Sequence, residues 1–123
     1  MFTFMNTFAT ALSAFKEFTG DHDVQVQAIQ TFLIVATSVN PSGEYITKAI
    51  GLNQSTASRN VLKLAAGPRA KEGYGLITVE LDPYDHRRRV IKLSARGHEL
   101  VRFMEERTMP PLRSHFIREL LLN

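Results

Sequence analysis

Apolar positions recur first at helical spacing. Phe4, Phe8, Ala11, Phe15 and Phe18 fall on one face of a helix, with Asn6, Thr10, Ser13 and Glu17 opposite, and Gly20 marks its end. A second helix is predicted over about Val24 to Thr37. Its run Phe32-Leu33-Ile34-Val35-Ala36 is apolar nearly all round and belongs in a core. Asn40-Pro41-Ser42-Gly43 reads as a turn, and Glu44 to about Ile50 as a short third helix closed by Gly51. Asn53 is a suitable N-cap for a fourth helix, Gln54 to about Ala66, which Gly67-Pro68 stops.

The period then changes to two. In Gly75-Leu76-Ile77-Thr78-Val79-Glu80-Leu81 the pattern puts Ile77, Val79 and Leu81 on one face, and Arg89-Val90-Ile91-Lys92-Leu93 follows. The intervening Asp82-Pro83-Tyr84-Asp85-His86-Arg87-Arg88 carries turn residues, so the two runs predict a hairpin. Ser94 caps a fifth helix running to about Thr108, with Leu100 and Met104 inward. Pro110-Pro111 is expected to break it, leaving a last helix over about 111–122 with Leu112, Phe116, Ile117, Leu120, Leu121 and Leu122. The expected class is mainly α with a β-hairpin, within one domain of 123 residues.

Charge changes this picture more than composition does. The net charge of +3 is mild, but residues 1–43 carry −2, residues 44–96 carry +5 and residues 97–123 are neutral. A basic middle suggests a polyanionic partner for the middle of the chain. No base precedes Lys16, as a secretory signal would require, and no apolar run reaches the ~20 residues of a membrane span. A cytoplasmic location with no membrane partner is the expectation. The chain has no cysteine, which excludes disulfides, thiolate metal sites and cysteine redox sensing.

Two helices separated by Gly51-Leu52-Asn53 have the layout of a helix-turn-helix, whose second helix lies in the DNA major groove. On that helix Ala57, Val61 and Leu64 fall at i, i+4 and i+7 and face the core. Gln54, Ser55, Thr56, Ser58, Arg59 and Lys63 are left outward, with side chains suited to base edges and phosphates. The hairpin follows with Arg87, Arg88 and Arg89 in succession beside a tip bearing Asp82 and Asp85. A basic ribbon placed after a recognition helix suits a wing whose arginines enter the minor groove. Lys63, Arg69, Lys71, Arg87, Arg88 and Lys92 are the expected phosphate or minor-groove contacts.

Gly51-Leu52-Asn53-Gln54-Ser55-Thr56-Ala57-Ser58-Arg59 resembles the start of the recognition helix in MarR-type regulators. Gly75-Leu76-Ile77, Asp82-Pro83-Tyr84-Asp85-His86-Arg87 and Leu93-Ser94-Ala95-Arg96-Gly97 resemble their wing. The most specific pieces are Asp-x-Arg at 85–87 and Leu-Ser-x-x-Gly at 93–97, and the resemblance runs roughly from Gln27 to Val101. It implies a winged helix-turn-helix in which Asp85 orients basic neighbours and Arg87 reaches the minor groove; turn capping is the other role open to Asp85. It also implies dimerisation through the terminal helices, 1–20 and 98–123, around a DNA-binding core at 24–97. Phe4, Phe8, Phe15, Leu112, Phe116 and Leu120 are the expected dimer contacts. Two departures stand out. Residues Ala65 to Tyr74 intervene between recognition helix and wing, which puts the geometry between them in question, and the chain is shorter than most members, which implies a reduced or absent cleft for an effector of unknown identity.

The expected function is therefore that of a sequence-specific, double-stranded-DNA-binding transcription regulator, a repressor acting as a homodimer on a palindromic operator. The alternatives are a winged-helix protein-interaction module acting on a polymerase or replication complex, and a replication initiator that binds origin repeats. His22, His86, His98 and His115 are scattered without zinc-site spacing, and no glycine-rich phosphate loop is present. No catalytic residue, metal or cofactor is expected.

Overall fold

The computed structural model describes residues 2–65 and 73–122. The chain forms α1 (Phe2–Thr19), α2 (Val26–Thr37), α3 (Gly43–Ile50), α4 (Gln54–Leu64), β1 (Ile77–Leu81), β2 (Arg89–Leu93) and α5 (Ala95–Leu122). It divides into a central unit, Val24–Glu99, and a terminal unit made of Met1–Asp23 with Leu100–Asn123.

In the central unit, α2, α3 and α4 pack on one another, and β2 lies against α2 and α3. The apolar run predicted for α2 supplies the centre: Ala28, Ile29, Phe32 and Val35 are buried, joined by Ile46, Ala57, Leu64, Leu76, Ile77, Val90 and Ile91. Thr31 is fully buried too. Its hydroxyl donates to the Gln27 carbonyl at 2.8 Å, so burial leaves that donor satisfied.

β1 and β2 pair antiparallel, with Ile77 opposite Leu93 and Leu81 opposite Arg89. Ile77, Val79 and Leu81, which the alternation puts on one face of β1, differ in burial. Only Ile77 is buried, while Val79 and Leu81 are exposed. β2 packs on the helices whereas β1 packs mainly on β2, so alternation along β1 does not report burial. On β2, Val90 and Ile91 are both buried, because the Pro41-Ser42 segment adds to the free edge of the strand. The Ile91 amide donates to the Pro41 carbonyl at 3.0 Å. Ser42 also caps α3, its Oγ accepting from the Tyr45 amide at 3.1 Å.

α4 ends at Leu64, two residues before its expected limit. The reason is a competing set of partners: the amides of Tyr74, Gly75 and Leu76 donate to the carbonyls of Lys63, Ala65 and Leu64 at 2.9, 2.9 and 2.7 Å. Those carbonyls lie at the C-terminus of α4, where helical donors run out. Residues 63–65 and 74–76 are thereby held side by side, which keeps the end of α4 next to the start of the ribbon. Arg69 and Lys71 lie outside the described residues.

In the terminal unit, α1 and the C-terminal part of α5 run antiparallel. The Thr3 hydroxyl meets His115 Nδ1 at 3.1 Å, Glu17 and Arg107 form a two-pronged ion pair, and the Phe18 and Phe103 rings lie 5.5 Å apart. The Arg107 guanidinium also covers the Phe103 ring at 3.8 Å. The expected break at Pro110-Pro111 does not occur, and α5 is continuous for 28 residues. Each proline has a helical φ but lacks the amide that would bond the carbonyl four residues back. The residues that own those carbonyls, Glu106 and Arg107, are exposed, as are the prolines, so water can take the freed acceptors. Phe15 is fully buried within the chain. That removes it from the expected dimer contacts: its side chain is core and cannot reach a partner. Phe4, Phe8, Phe116 and Leu120 are exposed, and Leu112 is half-buried.

Candidate nucleic-acid interface

The turn between α3 and α4 is built from two residues with defined tasks. Gly51 takes φ +76, a left-handed conformation that a side chain disfavours, and its amide donates to the Thr47 carbonyl at 3.1 Å, closing α3. Asn53 opens α4, its Oδ1 accepting from the Thr56 amide at 2.8 Å. With these ends fixed, Ala57, Asn60 and Leu64 point into the core. Gln54, Ser55, Ser58, Arg59 and Lys63 are exposed and Thr56 is half-buried, so the structure gathers the six expected residues on the outer side of one helix. Arg59 Nη2 lies 3.4 Å from Thr56 Oγ1, an intrahelical contact that leaves most of the guanidinium's donors available.

Asn60 was missed by the apolar pattern. Its amide nitrogen is buried without a hydrogen-bond partner. A polar residue at a core position gives no signal of burial in sequence. Lys63, an expected phosphate contact, is exposed, and its ammonium sits 5.2 Å from the centre of the Tyr74 ring. Tyr74 thus fixes the reach of Lys63, a pairing made across the 65–74 segment.

The ribbon tip is closed by its own aspartates. Asp82 Oδ1 accepts from the amides of Tyr84 (2.8 Å) and Asp85 (3.3 Å), and the Asp82 amide donates to the Arg88 carbonyl at 2.8 Å. Asp85 Oδ1 accepts the Arg87 amide at 3.1 Å and lies 3.6 Å from Arg87 Nε. Both roles open to Asp85 are therefore present in one side chain: it caps the turn and pairs with the Arg87 guanidinium. That guanidinium remains 95% exposed. Arg88 and Arg89 are exposed as well. Lys92 is less available, held 3.4 Å from Glu80 across the ribbon.

The base of the ribbon shows why Leu-Ser-x-x-Gly occupies 93–97. Ser94 Oγ donates to the Gly75 carbonyl at 2.6 Å and accepts the Gly97 amide at 3.0 Å, while the Ser94 amide donates to the Leu76 carbonyl at 3.0 Å. Arg96 Nε adds a bond to the Tyr74 carbonyl at 3.0 Å. One short segment, 74–76, is thereby tied to the end of α4 and to the start of α5, and it holds α4 and the ribbon as one piece.

Among the described residues no group of three or more His, Asp or Glu side chains could hold a metal ion. No helix among them is long and apolar enough to cross a membrane.

No family model and no curated protein sequence matches the chain. Solved structures do match in fold. A MarR-like transcriptional regulator from Thermotoga maritima superposes with a TM-score of 0.65 at 21% identity, over 91% of this chain and 79% of that one. A MepR variant from S. aureus, bound to an oligodeoxyribonucleotide, gives 0.59 at 20% identity over 97% and 78%. The PcaV transcriptional regulator from Streptomyces coelicolor, in complex with its natural ligand, gives 0.57 at 18% identity over 79% and 64%, so this chain spans about two-thirds of the length of PcaV. The chain has the MarR-type winged-helix fold.

Proposed function

We propose that the chain is a sequence-specific, double-stranded-DNA-binding transcription regulator that acts as a homodimeric repressor on a palindromic operator. The observation that carries this reading is the joining of an exposed polar helix face, Gln54 to Lys63, to an arginine-bearing ribbon through the 74–76 segment. The helix fits a major groove and the ribbon an adjacent minor groove. A C2 dimer would bind half-sites of an inverted repeat about one helical turn (~10 bp), or a multiple of that, apart. Repression follows where such a site overlaps a promoter. Selection of bound sequences from a random duplex pool tests the reading: an enriched inverted repeat supports it. Direct repeats would turn the assignment to an origin-binding initiator, and no enrichment to a protein-interaction module.

Arg59 reads guanine and Lys63 contacts phosphate in this arrangement. Arg59→Ala is expected to lower affinity on the order of tenfold to a hundredfold and to relax preference at one position of each half-site. Lys63→Ala is expected to weaken all duplexes alike. Identical sequence profiles for the two variants would remove the distinction.

Asp85 and Arg87 act as a unit. Each alanine substitution is expected to weaken DNA binding with the fold intact, and the double variant to lose less than the sum of the two, because both changes break one contact. Additive losses in a titration of the four proteins would mean that Asp85 does not position Arg87.

A further inference from the structure

The ribbon tip presents one side chain that its own fold does not use. Tyr84 is 97% exposed, the most exposed large apolar side chain among the described residues. This exposure does not come from a loose tip. Asp82 Oδ1 holds the Tyr84 amide at 2.8 Å and the Asp85 amide at 3.3 Å. The Arg88 amide donates to the Asp85 carbonyl at 2.9 Å, and the Asp82 amide to the Arg88 carbonyl at 2.8 Å. Pro83 adds a fixed φ immediately before the ring. The turn thus spends its donors on itself and points an aromatic ring into water.

The surroundings define what the ring would meet. Tyr84 lies beside a shallow hollow of about 290 Å³ whose apolar lining is Leu81, Pro83 and Val90 and whose charged lining is Arg88, Lys92, Glu80 and Asp82. Glu80 is paired with Lys92 and Asp82 accepts the tip amides, and Arg87 stands three residues further along the tip with its guanidinium exposed. An exposed ring with Arg87 and Arg88 on its C-terminal side, and with the neighbouring carboxylates already engaged by the tip and by Lys92, fits a partner with sugar rings and base edges set between phosphates. A tyrosine also loses little conformational freedom on contact and keeps a hydroxyl for a polar partner.

We infer that Tyr84 is the apolar contact of the wing: its ring packs against the deoxyribose wall of the minor groove, and its hydroxyl donates to a base-edge acceptor there. The inference rests on the DNA-binding reading and adds a residue that contributes without neutralising a phosphate. Its consequence is specific. Removal of the ring lowers affinity and leaves the salt dependence unchanged, whereas loss of a phosphate-neutralising arginine lowers both.

The experiment measures binding of the intact protein to the duplex chosen by selection, at a series of salt concentrations, for the unsubstituted chain and for Tyr84→Ala, Tyr84→Phe and Arg87→Ala. Thermal unfolding of each variant checks the fold, which a 97% exposed side chain does not support. Tyr84→Ala is expected to lose about tenfold in affinity with an unaltered slope of log affinity against log salt, as removal of base–aromatic or sugar–aromatic contact commonly does. Tyr84→Phe retains the packing and is expected to lose a smaller factor than Tyr84→Ala. Arg87→Ala is expected to reduce the slope by about 0.9 for each wing, and so by about 1.8 for the dimer on its inverted repeat. If Tyr84→Ala binds as tightly as the unsubstituted chain while Arg87→Ala does not, the role of Tyr84 is overturned and the DNA-binding reading stands. A slope change for Tyr84→Ala equal to that of Arg87→Ala also overturns it. If the unsubstituted chain binds no duplex, both fall together.

Discussion

Gly97→Ala is expected to destabilise the protein by roughly 2 kcal/mol, although the substitution improves helix propensity by about 1 kcal/mol. Gly97 lies in the first turn of α5. A Cβ built there overlaps the Leu76 carbonyl oxygen and comes within 3.1 Å of the Leu76 carbonyl carbon and 3.2 Å of Leu93 Cδ2. The obstacle is backbone, which cannot step aside as a side-chain tip can. Leu76 is pinned from the other side, its amide 2.7 Å from the Leu64 carbonyl and its carbonyl 3.0 Å from the Ser94 amide. Relief of the overlap must therefore stretch the joint between α4, the ribbon and α5. Such overpacking costs typically ~1–3 kcal/mol or more against a fixed neighbour, and a melting temperature lower by roughly 5–15 °C follows for a domain of this size. Gly43→Ala is the control. It too places alanine in a helix, but its Cβ meets nothing within 4 Å, so stability should hold or rise. Equal or higher stability for Gly97→Ala in urea and thermal unfolding would show that the 74–76 joint is more compliant than its hydrogen bonds suggest.

That joint also marks the boundary of what could be read from sequence. Gly51 and Asn53 announce the α3–α4 turn because each task, a left-handed φ and an N-cap, restricts residue choice at a single position. Asp82, Pro83 and Asp85 announce the tip for the same reason. The outer face of α4 was legible because its complement, Ala57 and Leu64, is apolar at helical spacing. What escaped depends on distant residues. The pairing of 74–76 with 63–65 shortened α4 through hydrogen bonds that leave no local pattern. Burial of Asn60 contradicts its type. The exposed face of β1 follows from its packing mainly on β2, which alternation cannot report. Pro110-Pro111 read as a stop because local rules count a lost amide. They do not count the contacts flanking the prolines: Arg107 to Glu17 on one side and His115 to Thr3 on the other. Phe15 and Phe8 share one stripe, yet only Phe15 is core. A stripe shows which face is apolar, and the length of the covering element decides which of its members are covered.

The remaining members of that stripe set up the larger functional effect. Phe116→Glu is expected to reduce DNA affinity on the order of a hundredfold or more, although Phe116 lies in the terminal unit, outside the proposed DNA-contacting face. Phe4 and Phe8 on α1 are 67% and 52% exposed, and Phe116, Leu120 and Leu121 on α5 are 58%, 78% and 82% exposed. Large apolar patches of this kind are rare on a monomer in water. In the proposed reading a second copy of the chain covers this patch and supplies the two-fold axis that an inverted-repeat operator would require. In such a dimer, binding of one half-site would hold the second copy of α4 at high local concentration over the other; separated protomers would bind each half-site independently. A glutamate at position 116 buries a charge at the interface and drives the protomers apart, while a monomer, where that side chain is mostly in water, folds as before. Phe8→Glu should act in the same direction. Analytical ultracentrifugation is expected to show a dimer at micromolar concentration for the unsubstituted chain and a monomer for Phe116→Glu, with unfolding of the monomer still cooperative. Two Phe116→Glu copies joined by a flexible linker should recover most of the lost affinity, since the tether replaces the interface. If the unsubstituted chain is monomeric and still binds the full inverted repeat tightly, or if tethering restores nothing, these helices do not carry the assembly.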